Sequence, residues 1–177
     1  MNVVLKSINK LISPCKTEAG ISAVELGATM LVFLIALFSV AEFGWFFVHQ
    51  NTLTAATREG IRIGTVGATL TDANGNTLSR EDSIKQAIQD SAANVMAIDP
   101  AKIFIFPVDA DFTDPDDPAV VATASAGGAG AFMRVRVQYN HQFFTQLIGG
   151  FFGTGNTILM SSEGTYRNEN FILGGAS

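Results

Sequence analysis

The chain has 177 residues, a net charge of −5 and a single cysteine, Cys15. This length allows one membrane segment and one small domain, and the single cysteine excludes a fold built on disulfides. Residues 68–177 carry twelve Asp and Glu against six Lys and Arg. Because phosphate contacts need clustered Lys and Arg, this acidity argues against nucleic acid as a partner.

The first 20 residues form the positively charged end of the chain. Three lysines stand there against one glutamate, at Lys6, Lys10, Lys16 and Glu18. Segments rich in Lys and Arg beside a membrane span stay in the cytoplasm. We therefore expect residues 1–20 to be a cytoplasmic leader and the C-terminal part of the chain to lie across the membrane.

The next stretch, Ile21–Val48, contains no Pro and no charged residue except Glu25 and Glu42. A membrane-crossing helix needs about 20 apolar residues, so this stretch predicts one. Apolar and small residues continue at helical spacing to Val66, which predicts one helix over residues 21–66 with its outer half beyond the lipid. An ordinary signal peptide fits less well, because its apolar region is only about 7 to 15 residues long.

Glu25 lies near the start of this apolar stretch, where a carboxylate is costly. One interpretation is that it reaches water at the membrane surface. The other depends on Gly20. If the chain were cut after Gly20, Ile21 would carry a free ammonium group, and Glu25 of one subunit could neutralise the Ile21 amine of the next.

Five short segments together resemble a known family. They are AGISAVELG (residues 19–27), AEFGWFF (41–47), ATREGIR (56–62), VRVQYNHQFF (135–144) and ILMSSEGTYRNE (158–169). Gly20, an apolar residue and Glu25 resemble the class III signal of type IV pilins. The whole set resembles the TadE family of minor pseudopilins in Tad-type (tight adherence) pilus systems. Ala19 and Leu26 depart from it, since a basic and an aromatic residue are common there.

The resemblance implies a non-catalytic role in pilus assembly, at initiation, at the tip or in regulation. It implies cleavage between Gly20 and Ile21 by a prepilin peptidase and docking through Glu25. The expected partners are other pilus subunits and pseudopilins. The expected location is the bacterial inner membrane with the C-terminal domain in the periplasm, or the extracellular pilus.

Glu42, at the outer end of the apolar stretch, has two interpretations. Its carboxylate reaches water at the interface, or it contacts a neighbouring helix, as its place in the family's EFG motif suggests. Gly44, Gly60 and Gly64 are further candidates for lateral helix contact, because small residues allow helices to approach closely.

The remaining residues predict a small exported domain over 67–177. Ser79 and Asp82 cap a helix that ends before Asp99-Pro100. Strands are expected at 102–108, 133–140 and 156–167, with a polar loop at 109–130 and an apolar segment at 141–152, either a short helix or a flap. The fold class is α+β and pilin-like: a long N-terminal helix whose outer half carries a small antiparallel sheet and one further helix.

Five aspartates in the polar loop are the best metal candidates, and Ca²⁺ is the ion they would suit. They are Asp109, Asp111, Asp114, Asp116 and Asp117. Their spacing does not fit an EF-hand, and a solvated loop is the simpler interpretation. We expect His49 at the membrane edge and His141 on the polar face of its strand. Neither has a partner at catalytic spacing, so we predict no enzyme and no required cofactor.

Two alternatives remain open. The chain could be a single-span anchored binding domain that never enters a filament, which predicts an uncut N-terminus. It could also be a minor pseudopilin of a type II secretion system with calcium in the aspartate loop, which predicts calcium-dependent stability.

Overall fold

The computed structural model describes residues 18–152 and 155–170. The chain divides into two compact units, Met1–Ala41 and Glu42–Ser177. The first long element, α1 (Glu18–Val66), runs through the boundary. This confirms the predicted helix over 21–66. The predicted leader lies almost wholly outside the described residues, and its removal stays a prediction.

In the first unit, the described part of α1 exposes its apolar side chains all round. Ile21, Val24, Val32 and Val40 are all exposed. A helix that is apolar on every face and unburied is what a lipid-facing segment requires. Gly20–Val66 is long and apolar enough to cross a membrane, which fits a single membrane anchor.

The second unit adds the remaining elements in chain order. They are α2 (Arg80–Ala92), a 3₁₀ turn (Pro100–Lys102), β1 (Ile103–Pro107), α3 (Pro118–Ala122), β2 (Phe132–Gln142), α4 (Gln146–Phe152) and β3 (Thr157–Arg167). Ser79 caps α2 as expected, its side chain accepting from the Asp82 N–H. The α+β prediction is confirmed. The helix α4 is the short helix that was one of two alternatives for residues 141–152, whereas α3 was not expected.

The three strands form one antiparallel sheet in the order β1-β2-β3. Val135 lies opposite Ile105 on one side and Gly164 on the other. Along β2, alternate residues are buried from Met133 through Val137, and the arginines between them face outward. The alternation that predicted this strand therefore describes it correctly.

The core of the second unit lies between this sheet, α2 and the outer half of α1. Leu53 and Ala56 of α1 are fully buried with Ile84 and Ile88 of α2 and Val135 of β2. The unit therefore includes α1 from Glu42 onward, because Leu53 and Ala56 of this helix form one side of its core.

Gly60 and Gly64 lie where α2 and β3 pack closely against α1. A Cβ at Gly60 would come within 2.5 Å of the Ile88 side chain, and one at Gly64 within 2.5 Å of the Tyr166 hydroxyl. Both glycines are buried. Their small size therefore serves packing within the chain, a use that the lateral-contact prediction did not include.

We expect Gly64→Ala to destabilise the fold by about 1 to 3 kcal/mol, because an extra methyl in a packed core forces its neighbours apart. The Tyr166 ring is rigid and buried, so it cannot turn aside freely. Thermal unfolding in detergent measures the effect. Gly44→Ala is the matched control on the same helix, since a Cβ there meets nothing within 4 Å. Equal Tm values for the two variants would contradict the packing role.

Candidate functional site

The residues predicted for cleavage and docking lie on an open helix surface. A Cβ at Gly20 would meet no described atom within 4 Å. Ile21 is 56% exposed, and Glu25 is exposed four residues further along α1. Among the residues that the structure describes, none forms an ion pair with Glu25. The carboxylate is therefore accessible to a second molecule, as the docking hypothesis requires.

Glu42 is in a different environment, only 2% exposed. One carboxylate oxygen accepts the Phe144 N–H at 2.6 Å. The other accepts the Thr145 N–H at 3.1 Å and the Thr145 hydroxyl at 3.3 Å. Hydrogen bonds to an ionised acceptor are roughly twice as strong as neutral ones. Glu42 therefore fastens α1 to the segment where α4 begins, a role that neither sequence interpretation contained.

About two turns further along α1, His49 meets His141 from the end of β2. Their Nδ1 atoms are 2.8 Å apart, and both residues are buried. His49 also hydrogen-bonds the backbone of Val95. In a neutral pair, one Nδ1 carries a proton and donates it, and the other Nδ1 accepts. The contact thus tolerates at most one positive charge, because two imidazolium rings would bring two N–H groups together.

The expectation that His141 lies on the polar face of its strand is wrong. His141 is fully buried, on the same face as Val135 and Val137. Side chains two apart along a strand share a face, and 141 has the parity of the buried positions. Aromatic rings surround it, with Phe46 and Phe143 both edge-on within 5.5 Å between centroids.

The aspartate loop is held against the outer face of the sheet. Asp114 pairs with Arg134 and, at 2.6 Å, with Arg136, which also binds Glu163. These guanidinium groups lower the pKa of the Asp114 carboxyl, Arg136 most strongly. Asp117 caps α3 by accepting the Ala119 N–H. Within residues 18–152 and 155–170, no three His, Cys, Asp or Glu side chains are grouped to hold a metal. Calcium binding stays a prediction from sequence.

Part of this chain matches a family of known proteins. Residues 20–62 match the model of TadE-like proteins. The match includes Gly20, Glu25 and Glu42, and it confirms the TadE-like resemblance over that range. No curated protein matches the chain. No solved structure matches it either.

The TadE-like segment thus contributes to two different environments. Its first half presents Gly20 and Glu25 on an exposed apolar helix, and its second half supplies Glu42, His49 and Gly60 to the packed unit. Gly44 lies in the second half, between Glu42 and His49, but it is exposed and a Cβ there would meet nothing within 4 Å. A lateral helix contact at Gly44 stays a prediction.

The buried histidine pair predicts a dependence of stability on pH. Burial lowers the pKa of the His141 imidazole, His49 lowers it further, and Glu42 opposes the shift. The unfolded imidazole protonates near pH 6.5, whereas the folded one resists protonation to lower pH. Below about pH 6.5 the unfolded state therefore binds more protons than the folded state. The contribution of neutral His141 to the free energy of unfolding is complete above this pH and is lost as the pH falls. The limiting slope is about 1.4 kcal/mol per pH unit.

Unfolding measured in detergent across this range tests the effect. The Tm of the wild type should fall more steeply on acidification than that of His141→Phe, which keeps an aromatic ring but cannot titrate. Parallel curves for the two proteins would mean that His141 does not carry the pH dependence.

Proposed function

We propose that this chain is a minor pseudopilin that takes part in assembly of a Tad-type pilus, at initiation, at the tip or in regulation, without catalysis. The observation that carries the proposal is the exposed Gly20-Ile21…Glu25 pattern on an apolar helix within the range matched by TadE-like proteins. The chain would be inserted as a precursor with its leader in the cytoplasm and its second unit in the periplasm. A prepilin peptidase would then cut it after Gly20.

The physical basis is the cost of charge in lipid. A free ammonium at Ile21 and a carboxylate at Glu25 are each unfavourable there, and each is the natural partner of the other on a neighbouring helix. Packing of helices would bring the two charges together and bury them as a pair. The folded domain beyond the apolar stretch would lie on the periplasmic side and give the subunit its individual surface.

Deletion of the gene, followed by complementation, tests this function. We expect the deletion strain to lose most of its surface pili and the wild-type gene to restore them. A tagged copy should co-purify with other pilus subunits from detergent-solubilised membranes. Normal piliation in the deletion strain, with no pilus subunit recovered on the tagged copy, would instead support the anchored binding domain.

A further inference from the structure

The connection between β2 and β3 is unlike the rest of the second unit in composition. Val137–Ser162, a run of 26 residues, contains no Asp, Glu, Lys or Arg, although the domain as a whole is acidic. This run includes α4 and the segment that Glu42 holds. Loops between strands lie on the protein surface and normally carry charged side chains that face water, so the absence of charge here needs a cause.

Aromatic side chains stand exposed on this connection. Phe151 is 80% exposed, Phe144 72% and Phe152 58%. Ile148 and Phe143 are buried against the fold, so the connection has one side packed on protein and another, apolar side open. An exposed apolar patch on a folded unit marks a surface that contacts another protein, a ligand or a membrane.

The position of α4 indicates which of these the patch contacts. The Phe152 ring packs edge-on against Phe43, with centroids 5.4 Å apart, and Phe144 lies 6.2 Å from Trp45. Phe43 and Trp45 belong to the apolar stretch Ile21–Val48, near its C-terminal end. The patch therefore adjoins aromatic side chains at the end of the segment predicted to cross the membrane.

We propose that α4 and its flanking phenylalanines lie in the outer interface of the bilayer, with Phe144, Phe151 and Phe152 inserted among the lipid headgroups and upper acyl chains. Short apolar helices without charge can lie in the membrane plane, and aromatic rings favour the headgroup level. The Glu42 hydrogen bonds fix α4 against α1 at this depth. The second unit would then have two attachments to the membrane, which limits its tilt. The proposal needs the membrane anchor but not the pilus function.

The test measures the depth of a single tryptophan in full-length protein reconstituted in phospholipid vesicles. Trp45 is the sole tryptophan, so Trp45→Phe provides a silent background. Phe151→Trp is the reporter in that background. Phe112→Trp is the matched control, because Phe112 is 51% exposed and packs on Phe132 at the opposite end of β2 from α4. Circular dichroism checks that both variants fold.

We expect lipids brominated near the headgroup end of the acyl chains to quench Phe151→Trp strongly and Phe112→Trp hardly at all. Aqueous iodide should quench Phe151→Trp about threefold less than the control, as for a ring below the headgroups. Equal iodide quenching in the two variants, without lipid quenching, would overturn the proposal. So would shielding that disappears when the protein is strongly diluted in lipid, since a second copy would then be the cover.

Discussion

Replacing Glu25 with leucine is expected to yield a stable, inserted and cleaved protein that no longer joins its pilus partners. Glu25 is exposed and has no ion-pair partner among the residues the structure describes, so its loss removes nothing from the fold. A charge at the centre of a membrane helix costs about 2.5 to 3.5 kcal/mol on insertion scales, so leucine inserts at least as well. Breaking a buried charge pair, by contrast, costs about 3 to 5 kcal/mol.

The measurement is co-purification of partner subunits together with pilus counts in strains that carry each variant. Glu25→Asp should be intermediate, because its shorter side chain reaches less far toward the Ile21 amine. Glu59→Gln is a control on the same helix, since among the described residues Glu59 pairs only with the exposed Arg62. Wild-type assembly with Glu25→Leu would show that Glu25 is not the docking charge.

Glu42→Leu is expected to have the opposite effect: it damages the fold of the second unit before any assembly step. The substitution removes the acceptor from the Phe144 and Thr145 N–H groups and the Thr145 hydroxyl. Hydrogen bonds to charged groups contribute about 1.5 to 3 kcal/mol each, so we expect a loss of roughly 3 kcal/mol in the free energy of unfolding. The first consequence should be detachment of α4 from α1.

Hydrogen exchange of the Phe144 and Thr145 amides, with Tm in detergent, measures this loss. Glu42→Gln is the matched variant. It keeps the size and one acceptor oxygen, but places an amide donor beside donors, so it should fall between wild type and Glu42→Leu. Unchanged amide protection in Glu42→Leu would contradict the fastening role and return Glu42 to a contact with water or a neighbouring helix.

Local patterns in the sequence predicted most of the fold. Helical spacing to Val66, the Ser79 cap and the alternation along β2 each depend on residues near in the chain, and each is confirmed. The short helices α3 and α4 were harder to predict from the sequence. Seven residues or fewer give little periodicity, and the two glycines in α4 are poor helix formers.

The environments of Glu42 and His49 could not be predicted in the same way. Their partners lie 102 and 92 residues further along the chain. No local pattern specifies such a pairing, because it arises only when β2 packs beside α1. One signal was nevertheless available: the strand parity that puts His141 on the buried face. A buried histidine at the end of a strand needs a polar partner, and this chain has only one other histidine.

The central claim is that this chain is a prepilin cut after Gly20, and the intact mass of the protein purified from native membranes tests it most directly. We predict a mature chain that begins at Ile21, with Gly20→Val remaining uncut because a branched side chain crowds the scissile bond. A native protein that retains residues 1–20 would contradict the account.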